Sequence, residues 1–510
     1  MNDNGLNVEN KTRRNKIPLS WIWIASTMLV CAAFVFVAVP GVLGQVRDIG
    51  SQSAGQSDAQ RSRRYLSHVQ YVFDFIQRYY IEEVDPKVIF EGAMTGIFDA
   101  LGDPNSAFLK ESEMKDLNDT TQGNFGGVGL IITKPTRERP DGRPLYVEVV
   151  SPIEGTPGWR AGINPGDFIT EINGEATEKL TQDEVLARLR GTPGVDVNLV
   201  IKRGDRLEFP LTITRAIIEV PTTQHAMIGD IGYLKLLTFT PMTTNRASEA
   251  IREFSSKNYK GIILDLRNNY GGLLNAAVNV SSLFLSGGVV VSTKSRIPAE
   301  NRVYNAGRTA QVDANIPVIV LINRGSASAS EIVAGALKDR GRAYLLGEKS
   351  FGKGSVQQVY PIESAGFKIT TAHYYTPSDV NIDKIGIPPD RLVKFPEFTE
   401  DDSEKLNNLI NDNKIPVFVR DNPQATRAQV DNFARALERE YRLDITLLKR
   451  LIRNEQNRTV IAPVYDLEYD VQLLEAVNII NSGNFRSLLQ NTKTLKVLQE
   501  EALREAETAS

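Results

Sequence analysis

The sequence predicts a multidomain α/β protein from three textures along the chain. From Ile217 to about residue 397 strands and helices alternate; before that, short β-branched strands are cut by glycine turns; and amphipathic helical stretches flank both. A chain of 510 residues also exceeds the roughly 250 residues over which one core ordinarily grows. Lys and Arg number 59 against 62 Asp and Glu, and no basic stripe carries interleaved aromatics, so nucleic acid is not an expected partner. The only cysteine, Cys31, rules out an intrachain disulfide and a cysteine-based zinc site. No motif calls for a metal or a cofactor.

The N-terminus reads as a membrane anchor. "KTRRNK", Lys11 to Lys16, precedes a charge-free run from Trp21 to Val39, close to the roughly 20 apolar residues that cross a bilayer. The run is longer than a secretory h-region, which favours an uncleaved anchor; removal after Gly44 is the alternative. The basic flank stays in the cytoplasm, so residues 44 onward are expected on the far, periplasmic side of the inner membrane. This divides the start of the chain into a basic tail (1–18), a transmembrane segment (19–43) and a Gly/Ser/Gln-rich flexible linker (44–64).

Residues 65–118 form a helical region. Val69, Val72, Phe73 and Ile76 recur at helical spacing, as do Ile89, Ala93, Ile97 and Leu101, with breaks at "DP" 85–86 and "GDP" 102–104. From about Thr120 "YVEVV", "DFITEING" and "VDVNLVIKRGDRLEFPLTI" alternate apolar and polar residues as half-buried strands do. One helix interrupts them at "TQDEVLARLRG", with Thr181 as N-cap and Glu184 three residues on. Beyond Ile217 the order is "IGYLKLL", helix "NRASEAIREFSS", "GIILDL", helix "LLNAAVNVSSLFL", "IPVIVLI", helix "ASEIVAGALKD" and "RAYLLG", the rhythm of a parallel sheet buried on both faces. From about Phe398 the chain is polar and helical.

Candidate chemistry gathers at strand-to-helix turns of this core. "IPVIVLI" runs into "NRGSASAS", which puts Ser328 at a helix start, where free N–H groups favour negative charge. "SASE", Ser328 to Glu331, also matches a capping box, and taken alone that duller role is the stronger reading. Lys338 shares the helix and lies about 15 Å from Ser328, too far to take a proton. Lys353 lies outside the helix between Gly352 and Gly354, where the backbone can approach another loop closely. It would serve as a base only if burial lowers its pKa from about 10.4 toward 7–8, which requires a dry, pre-formed site. Gln357 could hold the amine without adding charge. His225, Asp265 and Ser328 occur in the order of one known triad and form a competing arrangement, whereas His68 and His373 read as structural. "GIILDLRNNYGGLLNAA" lacks both G-x-G-x-x-G and a P-loop lysine; its paired glycines either expose N–H groups for an oxyanion or simply make a tight turn. "FGGVGLIIT" likewise is either a plain turn or a carboxylate-binding loop beside a strand edge.

Taken in order, "FGGVGL", "AGINPGDFITEINGE", "GYLKLLTF", "LDLRNNYGG", "GSASASEIVAGAL", "GEKSFGKGSVQ" and "TTAHYYTPS" resemble the carboxyl-terminal processing (tail-specific) proteases over about residues 65–397. The resemblance implies a PDZ domain (119–215) inserted ahead of a crotonase/caseinolytic-protease-like β/α core (216–397), with a C-terminal helical region (398–510). It implies Ser328 as nucleophile, Lys353 as general base and Gln357 as its orienting partner. Gly271 and Ala329 would supply the oxyanion-hole amides, with Glu331 and Asp339 in support. Gly127, Val128, Gly129 and Leu130 would bind a tail carboxylate. Tyr270 stands where the family usually has proline, and Asp379 where it usually has glycine. The expected protein is a membrane-anchored serine endopeptidase acting on proteins with apolar C-terminal tails, homodimeric through its helical ends, with an adaptor left open. The competing readings are a Ser–His protease using His225 and a non-catalytic PDZ scaffold.

Overall fold

The computed structural model describes residues 58–134, 145–204, 206–394, 399–458 and 463–509. The predicted tail, transmembrane segment and most of the linker lie outside these residues. Among the described residues no helix is long and apolar enough to cross a membrane. The chain divides into two units, Met1–Gly92 and Ala93–Ser510. In the first, the helix Asp58–Tyr79 stacks Tyr71, Phe75 and Tyr79 along one side at four-residue spacing and buries no residue.

The second unit is built on a six-stranded sheet. Its order is Thr223–Ile228, Ile231–Leu236, Gly261–Asp265, Val318–Ile322, Tyr344–Gly347 and Arg391–Leu392, parallel throughout except for the antiparallel first strand. Every residue of Gly261–Asp265 and Val318–Ile322 is buried, which explains why these segments read as unbroken apolar runs. Helices Thr243–Ser256, Leu274–Ser282 and Ala329–Asp339 pack their apolar residues with one face. The other face is covered by Leu473, Ala476, Ile479 and Ile480 of the helix Val471–Asn481. The C-terminal region is therefore part of the core's own layering. Arg267 fastens it: its guanidinium donates to Asp265, Asp470 and Gln472, and Tyr233 donates to the same Asp265.

A second, antiparallel sheet was not expected. It runs Ala107–Leu109, Ala365–Tyr375, Val289–Ser295, Arg302–Asn305, with Ser355–Ile362 forming a long hairpin against Ala365–Tyr375. This hairpin carries the segment just after Lys353.

In the chain, the β-rich domain falls between the strands Ala107–Leu109 and Thr223–Ile228. A sheet of Leu130–Thr133, Val147–Pro152, Phe168–Ile172, Asp196–Arg203 and Leu207–Thr214 closes over Val147, Ile169, Val185, Val197 and Ile201, all fully buried. The helix Gln182–Leu189 starts on the predicted capping box of Thr181 and Glu184. Strand Ala216–Glu219, placed in the core by the sequence reading, instead pairs with Asn124–Gly127, so the domain's backbone pairing ends four residues later than expected.

Candidate active site

The three serines of the 323–331 turn have different fates. Ser326 Oγ donates to Leu266 O (2.8 Å) and accepts from Asn323 N–H (3.0 Å). Ser330 Oγ donates to Asn269 O (2.8 Å). Both stitch the turn to the end of the neighbouring strand. Of the three, Ser328 alone has a hydroxyl without a hydrogen bond among the described residues, and its backbone sits at φ 55°, ψ −114°, a strained conformation for a residue with a side chain. The capping expectation holds only by half: Glu331 accepts the Ser328 N–H (2.9 Å), but the Ser328 hydroxyl caps nothing.

Glu331 is the hub. Fully buried, its carboxylate accepts four hydrogen bonds: Ser350 Oγ (2.6 Å) and Gly352 N–H (2.7 Å) on one oxygen, Lys353 N–H (2.8 Å) and Ser328 N–H on the other. One oxygen thus ties the backbone of Ser328 to that of Lys353. Burial pushes the Glu331 carboxyl above its ordinary pKa, and the bonds from Ser350, Lys353, Gly352 and Ser328 offset part of that. The glycines beside Lys353 are needed as expected. A Cβ on Gly354 would lie 2.5 Å from Asp383 N, and one on Gly352, at φ 93°, 2.8 Å from Gly386 N.

Burial pushes the Lys353 amine below the ordinary lysine value, and the charge of Lys368 acts in the same direction against Asp103. The amine makes no hydrogen bond or ion pair among the described residues, with Ser328 or any other group. Gln357, expected to hold it, instead turns its amide to Ser355 Oγ (2.9 Å) and Thr370 Oγ1 (3.3 Å). Thr370 passes on to Asp103 (2.6 Å), whose carboxyl is held at about 2 by Ser106, Thr370 and Asn105 in spite of burial. The structure brings the two backbones together and leaves the two side chains apart.

The glycine turn requires one correction. The Gly271 N–H, expected to face an oxyanion, donates to Asn269 Oδ1 (2.9 Å). Asn269 is fully buried; its amide nitrogen donates to Leu236 O (2.9 Å) and its backbone oxygen accepts from Ala327 N–H (3.1 Å). Gly271 O and Leu273 N–H both bond to Phe239, which turns the intervening Gly272 N–H to the opposite side. Neither Gly272 N–H nor Ala329 N–H has an acceptor among the described residues. Gly271 serves close approach instead, because a Cβ there would stand 2.8 Å from Ser328 Cβ. The ring of Tyr270, in the usual proline position, is 78 % exposed, while Asn269 holds the turn. Asp379 takes φ 64°, so the glycine conformation is kept without glycine.

Ser328, Gly272, Gln357 and Tyr374 line one cleft of about 360 Å³, whose apolar wall includes Leu273, Leu274 and Ile332. Asp339 lies at the far end of the serine helix, accepting from Ser378 and from Leu495 N–H, a structural joint to the C-terminal helix. Lys338 is paired with Asp390. His225 Nε2 lies 2.9 Å from Glu253 and its ring packs on Phe254, whereas Asp265 is bound to Tyr233 on the other face of the sheet. The His–Asp–Ser arrangement is therefore not assembled. Asn269 and Tyr374 escaped the sequence reading; "RNNYGG" held the only hint, an amide beside the glycine pair.

In the β-rich domain Val128, Gly129 and Leu130 line a groove of about 490 Å³ between strand Leu130–Thr133 and helix Gln182–Leu189, with Leu186, Leu189 and Phe125 as apolar walls. Gly127 lies next to this groove in strand Asn124–Gly127. Gly129 O accepts from Ile153 N–H (2.9 Å) and Thr156 Oγ1 (3.1 Å), which fixes the loop. Leu237 and Thr238 of the core complete the far side of the groove.

A strained serine at a helix head, in a cleft shared with Gly272 and preceded in the chain by a groove-bearing β domain, is the arrangement of a serine peptidase coupled to an accessory β module. Comparison with known proteins gives the family. Residues 230–414 match Peptidase family S41, 148–203 a PDZ domain, and 28–113 the activating protease CtpB N-terminal domain. A carboxy-terminal-processing protease of Bartonella bacilliformis is 39% identical over 68% of this chain and 79% of its own length. A carboxyl-terminal-processing protease of Synechocystis is 36% identical over 58% and 69%, and the carboxy-terminal processing protease CtpA of Bacillus subtilis 30% identical over 76% and 79%. Among solved structures, a photosystem II D1 C-terminal processing protease aligns at 31% identity over 66% of this chain and 94% of its own, with a TM-score of 0.39. This chain belongs to the S41 family of carboxy-terminal-processing serine peptidases and carries a PDZ domain.

Proposed function

We propose that this peptidase takes the apolar C-terminal tail of a protein into its PDZ groove and cleaves the same substrate at Ser328, with Lys353 as general base. The observation that carries this reading is the single Glu331 oxygen shared by the backbone amides of Ser328 and Lys353. It holds a free hydroxyl and a lysine of lowered pKa on adjoining loops, within reach of a rotation of the lysine's four-carbon stem. In the reaction Ser328 Oγ bonds to the peptide carbonyl carbon while its proton passes to the neutral Lys353 amine. The carbonyl electron pair moves onto oxygen, which the Ala329 and Gly272 amides receive. Collapse of the intermediate expels the amine, protonated by Lys353, and water then releases the acyl group.

The tail enters this scheme as an activator. Leu237 and Thr238, which wall the groove, run directly into Phe239, the residue that holds the glycine turn through Gly271 O and Leu273 N–H. Pressure on the groove reaches the oxyanion amides through one strand end. Anchoring by residues 19–43, a catalytic part outside the cytoplasm and pairing of two copies through the helical ends belong to the same proposal. The test is incubation of the full chain with an unstructured protein ending in apolar residues. Ser328→Ala and Lys353→Ala each abolish cleavage, and His225→Ala keeps it. Cleavage that survives both of the first two changes ends the assignment; cleavage lost only with His225→Ala favours the histidine alternative.

A further inference from the structure

Tyr374 is the one residue of the cleft whose polar atom is buried and unspent. It stands on strand Ala365–Tyr375, in register with Thr293 of one neighbouring strand, and its N–H donates to Gly354 O (2.9 Å), one residue past Lys353. The alternation of the strand sends Tyr375 outward, where Lys294 lies 4.0 Å from its ring centre, and turns Tyr374 inward, 2 % exposed, against the core. Its hydroxyl forms no hydrogen bond of good geometry with any described group. Yet it lies close enough to Ser328 for the serine side chain to offset the upward push that burial and Glu331 give the phenol. A buried hydroxyl without a protein partner is rare in a folded protein and calls for an explanation, a catalytic role among them.

We propose that Tyr374 is a further catalytic residue, whose hydroxyl donates a hydrogen bond to Ser328 Oγ as that oxygen surrenders its proton to Lys353 and attacks the substrate carbonyl. This rests on the Ser–Lys reading above. The proton of Tyr374 stays on Tyr374; the serine proton goes to the lysine amine, and the new bond joins Oγ to carbon. Burial and the nearby Glu331 carboxylate push its phenol above the ordinary range, which favours the protonated, hydrogen-bond-donating form.

The test compares full-length wild type, Tyr374→Phe and Ser328→Ala on a peptide with an apolar tail, together with the rate at which a fluorophosphonate labels Ser328. Removing only the hydroxyl oxygen strands no partner, so the thermal midpoint is expected to stay or rise. On the scale of losing one transition-state donor, kcat is expected to fall about 100-fold, with KM within about twofold and phosphonylation slowed in parallel. Unchanged kcat and labelling in Tyr374→Phe overturn the inference. So does a fall in kcat matched by a lower midpoint, which would mark the ring as merely structural. As a second readout, a crystal of the phosphonylated enzyme should place the Tyr374 oxygen about 2.7 Å from Ser328 Oγ or a phosphonyl oxygen; separation by a full side-chain width refutes the contact. Failure of the underlying reading looks different: wild type and Ser328→Ala then cleave alike, and the tyrosine assignment falls with it.

Discussion

Replacing Asn269 with alanine tests the geometry of the glycine turn. The Asn269 side chain makes two buried hydrogen bonds, accepting from Gly271 N–H (2.9 Å) and donating to Leu236 O (2.9 Å). Alanine leaves both main-chain groups without a partner in a region closed to water. Each orphaned group costs about 1–3 kcal/mol, so the change should destabilise the core by about 2–6 kcal/mol. For a core of this size, at about 2–4 °C per kcal/mol, that is a fall of about 4–24 °C in the thermal midpoint. The second consequence is catalytic. With Oδ1 gone, the Gly271 amide is released and the turn is held by Phe239 alone, so the Gly272 amide is less rigidly placed and kcat should drop, by up to about 100-fold, while tail binding to the PDZ groove is unchanged. Circular dichroism melts, single-turnover cleavage and anisotropy of a labelled tail peptide separate the three quantities. An unaltered midpoint would show that these bonds are replaced by others and refute the stability argument. A lowered midpoint with undiminished kcat, measured where the variant is folded, would refute the role given to the turn.

Three further outcomes are expected. The pH–rate profile should rise with pH as Lys353 loses its proton. Lys368→Met, which removes the cation that depresses it, should move that limb to higher pH, and Asp103→Asn, which removes the opposing anion, to lower pH; shifts in the same direction for both variants would contradict the electrostatic account. Gly129→Ala would place a Cβ 2.3 Å from that of Thr156 in a residue at φ 78°, so tail affinity measured by anisotropy should weaken at least about tenfold, with the Ser328 labelling rate in the absence of tail unaffected. Asp265→Ala strips the buried Arg267 guanidinium of one of its two carboxylates and should lower stability in urea by about 3–5 kcal/mol, since breaking one side of a buried pair strands the other.

Much of the scaffold was legible in the sequence because its signals are local. Apolar runs such as Val318–Ile322 mark doubly covered strands, Thr181 and Glu184 mark a helix start, and the glycines around Lys353 mark close backbone approach; each rests on a few neighbouring residues. The motif order singled out Ser328, Glu331 and Lys353, and the Glu331 carboxylate joins the backbones of the other two. What it did not contain was long-range bookkeeping of polar atoms. Which of three closely spaced serines keeps a free hydroxyl depends on Leu266 and Asn269, some 60 positions away. That Gly271 spends its amide on Asn269 and leaves Gly272 to face the cleft follows from how Phe239 pairs with the turn. That Tyr374 points inward with no partner follows from the register of a hairpin whose strands carry no clear apolar alternation. Likewise the C-terminal helices read as a separate region, yet Val471–Asn481 closes the open face of the sheet, because an apolar face is satisfied by whichever element the chain folds back onto it. Local chemistry was written in the sequence; the spending of each donor and acceptor was decided only when distant segments met.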